Sequence, residues 1–190
     1  MGGDDRVKLV RQLQRAYSGE LAAAYAYRGH WHATRDGSDR DQIRVIEDEE
    51  WRHRRAVGEM LQGLGATERT ALEIRAWLIG RALGLLCFVV GWFLPMYGAG
   101  KLESRNVAEY EVAARHAMGC GRPDLADRLF TMAEVEWDHE AYFRGRVGGH
   151  AALRWFPLWP SLPPRGSGRR LERSPSSAQS VEQRARLVWR

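Results

Sequence analysis

Cysteine is nearly absent: only Cys87 and Cys120 stand in the whole chain. They form no Cys-x-x-Cys pair and no zinc spacing, so no disulfide framework is expected, and a reducing compartment is the default. The opening Met-Gly-Gly-Asp-Asp-Arg has no basic stretch leading into an apolar run, so no secretory signal is expected. Positive charge is lacking where a nucleic-acid-binding domain would need it. The formal net charge is +5, but seven Arg and two Glu fall from Arg165 onward, leaving residues 1–164 balanced at 22 basic and 22 acidic groups. A neutral body with a basic tail is not the footprint of nucleic-acid binding. At 190 residues, one domain can bury a good core without disulfides or metals.

What is present is helical periodicity. From about residue 6 to 34 there is no proline, and two adjoining stripes run along the segment. One is Val7, Val10, Leu13, Tyr17, Leu21 and Ala24; the other is Leu13, Ala16, Glu20, Ala23, Ala24 and Tyr27. Asp36-Gly37-Ser38-Asp39 makes a turn, and Asp39 with Gln42 reads as an N-cap with its capping-box partner. A second helix is expected over 40–64, with Ile43, Ile46, Glu50, His53, Val57, Met60, Leu61 and Leu64 on one stripe. A third is expected over 101–118, carrying Glu103, Glu109, Glu111 and His116. A fourth runs from Pro123 or Asp124 to Val147, with Leu125, Leu129, Met132, Glu136, His139 and Phe143 aligned. After Gly148-Gly149 the chain turns Pro-, Ser-, Gly- and Arg-rich. The expected division is a bundle over 1–149 and a disordered tail over 150–190, with a short helical stub at 181–190.

Between these helix pairs lies a long apolar run. Over 76–97 the only charge is Arg81. Three readings compete: a transmembrane helix, a crossover returning the chain along a bundle, and a crossover whose apolar surface dips into one leaflet. A single span would put the flanking helix pairs on opposite sides of the membrane, which favours the crossover.

The motifs that carry chemistry are Glu50-Trp51-Arg52-His53 and Glu136-Trp137-Asp138-His139. Three residues apart on a helix, the carboxylate and imidazole share one face. Composition alone would produce roughly 0.5 such pairs by chance. Both pairs, however, continue apolar stripes, where charge is costly unless it is paired or binds a metal. Two Glu-x-x-His helices and two further inward Glu form the ligand set of a dinuclear four-helix bundle. Glu20 and Glu50 lie 17 and 13 residues from a turn near Gly37; Glu109 and Glu136 lie 12 and 15 from one near Gly121. All four therefore fall near mid-bundle, with Glu111 a slightly less even alternative to Glu109. Four carboxylates and two imidazoles suit two iron ions, or manganese, better than zinc. Glu47 and His116 are candidate outer partners of the ligands. His30, His32 and His150 lie outside the pattern and read as surface residues.

On these residues the chain resembles the demethoxyubiquinone hydroxylase family, membrane-associated ferritin-like di-iron monooxygenases of quinone biosynthesis. The matching stretches are Ser18-Gly19-Glu20; Glu50-Trp51-Arg52-His53 followed by Val57-Gly58-Glu59-Met60-Leu61; Val107-Ala108-Glu109 followed by Val112-Ala113; Glu136-Trp137-Asp138-His139; and the crossover ending in Gly98-Ala99-Gly100-Lys101. It covers about residues 8–147, departing where Arg15-Ala16-Tyr17 stand instead of the family's first His. The resemblance implies an all-α, ferritin-like four-helix bundle with a long apolar crossover between helices two and three. It implies Glu20, Glu50, His53, Glu109, Glu136 and His139 as ligands of two iron ions, with Glu109 preferred over Glu111. It further implies an O2-dependent monooxygenase acting on a hydrophobic small molecule such as a polyprenyl quinone. The expected setting is cytoplasmic, with peripheral contact to the inner face of the cell membrane through 76–97, as a monomer or homo-oligomer. The rival reading is a ferritin- or rubrerythrin-like protein that oxidises iron or scavenges peroxide, although no rubredoxin-type Cys-x-x-Cys is present.

Overall fold

The computed structural model describes residues 2–172. Among them there is no strand. The helices are α1 (Gly2–Ala33), α2 (Gly37–Gly63), α3 (Thr70–Leu86), α4 (Phe93–Gly119) and α5 (Pro123–Val147), then a 3-10 turn (Ala151–Arg154) and a short α6 (Ser167–Glu172). Four long helices with an apolar helical segment between the second and third match the all-α bundle class expected. The chain forms two compact units, Val10–Pro95 and Met1–Leu9 with the chain from Met96 onward.

In the Val10–Pro95 unit, α2 buries Ile43, Ile46, Glu47, Glu50, His53, Val57, Met60 and Leu61, the expected stripe with Glu47 added. Of the two stripes on α1, the one carrying Glu20 is inside: Leu13, Glu20, Ala23, Ala24 and Tyr27 are buried, while Val7 is exposed. Helix α2 starts earlier than expected, because Asp36 is its N-cap and accepts from the Asp39 N–H at 2.9 Å. Asp39 instead turns inward and accepts the Trp92 indole N–H at 3.1 Å. Arg54 of α2 donates to the Tyr17 carbonyl at 2.5 Å and to Glu73 of α3, which also accepts from Ser18 at 2.6 Å. This network ties α3 to α1 and α2.

Helix α3 approaches α1 backbone to backbone. Its buried residues are Ala76, Gly80 and Gly84, one per turn. A Cβ on Gly29 would lie 2.3 Å from the Gly84 Cα, and one on Gly80 would lie 2.5 Å from the Ala22 carbonyl oxygen. Using its small residues inward leaves α3 with its large ones outward: Leu78, Leu85 and Val89 just beyond it are 55%, 71% and 77% exposed. No helix among the described residues is long and apolar enough to cross a membrane. The apolar run is broken by turns after Leu86, where Gly91 takes a left-handed φ of 78°, so the transmembrane reading of 76–97 does not hold.

The second unit is built on the α4–α5 hairpin, turned at Gly121 (φ 73°) with Pro123 in the first turn of α5. Helix α5 buries Leu125, Leu129, Met132, Glu136, His139 and Phe143, the expected stripe. Helix α4 begins at Phe93, two turns before the expected start at residue 101. His116 pairs with Asp5 at 3.0 Å, so its partner is the chain's first turns. Residues 150–172, assigned to a disordered tail by composition, pack on this unit. Trp159 is buried, the Trp137 indole donates to the Pro163 carbonyl at 2.9 Å, and Arg165 meets Asp138 at 2.8 Å. Asp138, with Glu134 in support, holds the Arg165 guanidinium pKa above its usual value. The remainder of the expected tail, including the 181–190 stub, lies outside the described residues.

His30 corrects a surface expectation: it is buried, and desolvation pushes its pKa down to about 4 against the opposing pull of Asp39. Two outcomes follow. Gly29→Ala pushes α3 off α1 and lowers stability by about 1–3 kcal/mol in urea unfolding, as overpacking does. For His30, the folded pKa of about 4 lies below the ordinary imidazole value of 6.5, so the unfolded chain takes up the proton first. Stability is then unaffected by this group above about pH 6.5 and falls by about 3 kcal/mol as pH drops toward 4. Unfolding free energies measured across that window are expected to lose the slope in His30→Gln.

Candidate metal centre

Each unit carries its own cluster of ligand side chains. In the Val10–Pro95 unit, Glu20 from α1 and Glu50 and His53 from α2 each offer a donor atom, and these atoms lie within 4.8 Å of one another. In the second unit, Glu103 from α4 and Glu136 and His139 from α5 do the same. Both clusters have one composition: a Glu on the first helix of a hairpin, and a Glu-x-x-His pair on the second. Helical geometry explains the pair, since positions i and i+3 stand one above the other.

The six side chains are deeply buried. Glu50, Glu103 and Glu136 are 0% exposed, and Glu20, His53 and His139 do not exceed 7%. Two carboxylates held that close in a low-dielectric interior repel unless a proton or a cation is shared between them. Carboxylate oxygens with one imidazole nitrogen form a donor set of intermediate hardness, suited to divalent iron or manganese. On donor type, spacing and burial, the residues of each cluster fit a metal ion.

Outer contacts orient the second cluster. Asn106 donates its amide N–H to Glu103 Oε2 at 2.9 Å and reaches Glu136 Oε2 at 3.5 Å. The His139 Nδ1 lies 3.6 Å from Glu136 Oε2. In the first unit Glu47, one turn before Glu50, is not in the cluster. It accepts from the Trp31 indole at 2.6 Å, from the Trp51 indole at 3.2 Å and from Arg28 at 2.8 Å. Those bonds fix the segment of α2 that presents Glu50.

Five of the six expected ligands are thus brought into clusters, and one is not. Glu109 is half-exposed and pairs with Arg105 at 3.8 Å; Glu103 takes its place. Level did not separate them, because Glu103 and Glu109 lie 18 and 12 residues before Gly121, equally displaced from Glu136 at 15 after it. Face does. Met96, Gly100, Glu103, Val107, Tyr110, Ala114 and Ala117 are buried at alternating steps of four and three, and Glu109 falls off that stripe. Glu111 is off it too and lies beside Gly168. The four-three spacing through Glu103 was the available signal; Asn106 had none beyond its place one turn later.

Equilibrium dialysis against ferrous iron under anaerobic conditions is expected to find two ions per chain. Glu103→Gln is expected to lose about one of them, and Glu109→Gln to keep both; the reverse pattern would restore Glu109. Compared with protein-family models, curated proteins and solved structures, the chain finds no match.

Proposed function

We propose that the two clusters hold a pair of iron ions and that the protein is an O2-dependent di-iron oxidoreductase, a monooxygenase of an apolar ring substrate such as a polyprenyl quinone. The observation that carries this reading is the repeated, buried Glu plus Glu-x-x-His cluster, one in each unit. That repeat supplies the four carboxylates and two imidazoles of dinuclear carboxylate proteins. Iron bound there would supply what the side chains lack, one-electron redox chemistry at each ion and activation of O2 toward a substrate carbon.

The chain's own groups do the rest. Glu50, Glu103 and Glu136, at 0% exposure, present charge where water does not compete for it. Carboxylates tolerate a change in charge beside them because each offers two oxygens, and Asn106 keeps Glu103 aimed through its 2.9 Å bond. The outward apolar face of α3, with Leu78 and Leu85, supports peripheral contact with a bilayer, the phase in which a polyprenyl substrate resides.

The reading is tested by anaerobic reconstitution with ferrous iron, followed by oxygen uptake with a short-chain quinone and a reductant. Uptake that depends on the quinone, and high-spin ferrous iron bound at both clusters in Mössbauer spectra, are expected. Glu50→Ala is expected to reduce uptake by roughly 100-fold or more and Asn106→Ala to weaken iron binding by about tenfold. Oxygen uptake that tracks added ferrous iron and ignores the quinone would favour the iron-handling alternative.

A further inference from the structure

Within the second unit, a cavity of about 810 Å³ lies between the α4–α5 hairpin and residues 155–169, a volume in the range of small-molecule sites. The segment that covers it is held to the helices at several points. Tyr97 donates to the Pro157 carbonyl at 2.8 Å, Arg144 to that of Pro160 at 3.0 Å and Trp137 to that of Pro163 at 2.9 Å. The rings of Phe156 and Trp159 also meet Tyr97, with centroids 5.8 and 5.4 Å away. Proline has few conformations to lose, so a cover with four prolines among residues 157–164 keeps this space at low entropic cost.

The charged groups on the lining are already committed. Arg169 meets Asp127 at 3.0 Å and lies over the Phe130 ring, 5.7 Å from its centroid. Glu134 pairs with Arg165 at 2.9 Å, and Arg105 with Glu109 at 3.8 Å. Glu111 and Arg115 likewise engage other groups of the chain. Lys101 stands at an exposed position, where water solvates its ammonium. An ionised ligand would have to displace these partners or bury its charge unmatched, and either is costly.

The buried part of the lining offers a different kind of recognition. Val107, Phe130 and Ala133 are apolar there, and the Trp159 indole is taken, donating to Glu140 at 2.6 Å. Ser104 differs: it is only 6% exposed, and its hydroxyl makes no hydrogen bond among the described residues. The hydroxyls of Ser18, Thr34 and Thr131 each donate to the carbonyl four residues before, as helical hydroxyls commonly do; that of Ser104 does not. A hydroxyl both donates and accepts, so Ser104 can meet either kind of ligand oxygen.

We infer that this cavity binds an uncharged, flat aromatic molecule carrying a hydroxyl or carbonyl oxygen, its ring against Phe130, Trp137 and Trp159 and its oxygen hydrogen-bonded to Ser104. Aromatic walls favour a flat ring through edge and face contacts that a saturated body does not make. The assignment stands without the di-iron reading, since none of the six clustered ligands lines the cavity.

The test titrates the full-length, metal-free protein by calorimetry with 2-naphthol, 2-methylnaphthalene, the saturated decahydro-2-naphthol and the anion 2-naphthoate. Saturable one-to-one binding of 2-naphthol is expected, tighter than that of its saturated analogue or of the anion. Ser104→Ala is expected to weaken 2-naphthol about three- to tenfold and to leave 2-methylnaphthalene unchanged, as loss of one hydrogen bond does. Ala108→Trp, which adds an indole to the cavity wall, is expected to abolish binding of both while the far-UV circular dichroism stays that of the parent. If that variant does not fold, the Ser104→Ala comparison decides. Leu85→Gln with Val89→Gln, on the exposed face of the other unit, is expected to change nothing. Tightest binding of the anion, equal affinity for flat and saturated rings, or indifference of 2-naphthol to Ser104→Ala would overturn the assignment.

Discussion

Putting a carboxylate into a protein interior is among the most expensive things a helix can do, and this chain does it repeatedly along its core stripes. An ionised group without compensation costs several kcal/mol or more when removed from water. Glu50, Glu103 and Glu136 nevertheless sit at 0% exposure, each on an apolar stripe and each within 4.8 Å of another side chain able to donate to a metal ion. The neighbours explain how the helices can pack around such groups. On α2 the stripe runs from Ile43 and Ile46 through Glu50 and His53 to Val57 and Met60, so apolar contacts above and below hold the polar turn in place. On α5 the same order recurs, from Leu129 and Met132 through Glu136 and His139 to Phe143. The polar turn is a short interruption of an otherwise ordinary core.

The repeated cluster also accounts for the kinds of residue found around it. Asn106, held between Glu103 and Glu136, restricts the carboxylates that helical spacing alone would only bring near. Glu47 is drawn away from its cluster by two indoles and Arg28, which turns a potential excess negative charge into an anchor for α2. Both effects concern orientation. A ligand set gains affinity when its rotamers are already chosen before the ion arrives.

The two ordered segments outside the four long helices are governed by close approach. Where α3 meets α1, glycine on both sides removes the Cβ atoms and brings backbone against backbone, so the bulky apolar residues of α3 have nowhere to go but outward. Where the segment after α5 meets α4, Gly100 makes room for the Trp159 ring, and proline carbonyls serve as acceptors for Tyr97, Arg144 and Trp137. Composition suggests disorder for this second segment because Pro, Ser and Arg predominate. The contacts that order it are with side chains far away in the chain, and composition does not contain them.

The four long helices α1, α2, α4 and α5, the stripes of α2 and α5 and the two Glu-x-x-His pairs were legible in the sequence, because 3.6-residue periodicity is a local property that burial only confirms. The same periodicity run through Met96, Glu103, Val107 and Tyr110 contained Glu103 as well, but a motif resemblance pointed to Glu109, and distance from the turn, equally uneven for both, did not separate them. His30 read as a surface residue because nothing local marks it as covered. Its burial, the close contact of α3 with α1, and the docking of residues 150–172 were decided by tertiary structure. The physical reason is the same for all three: periodicity tells which residues of a helix share a face, while which face is covered, and by what, depends on segments tens of residues away.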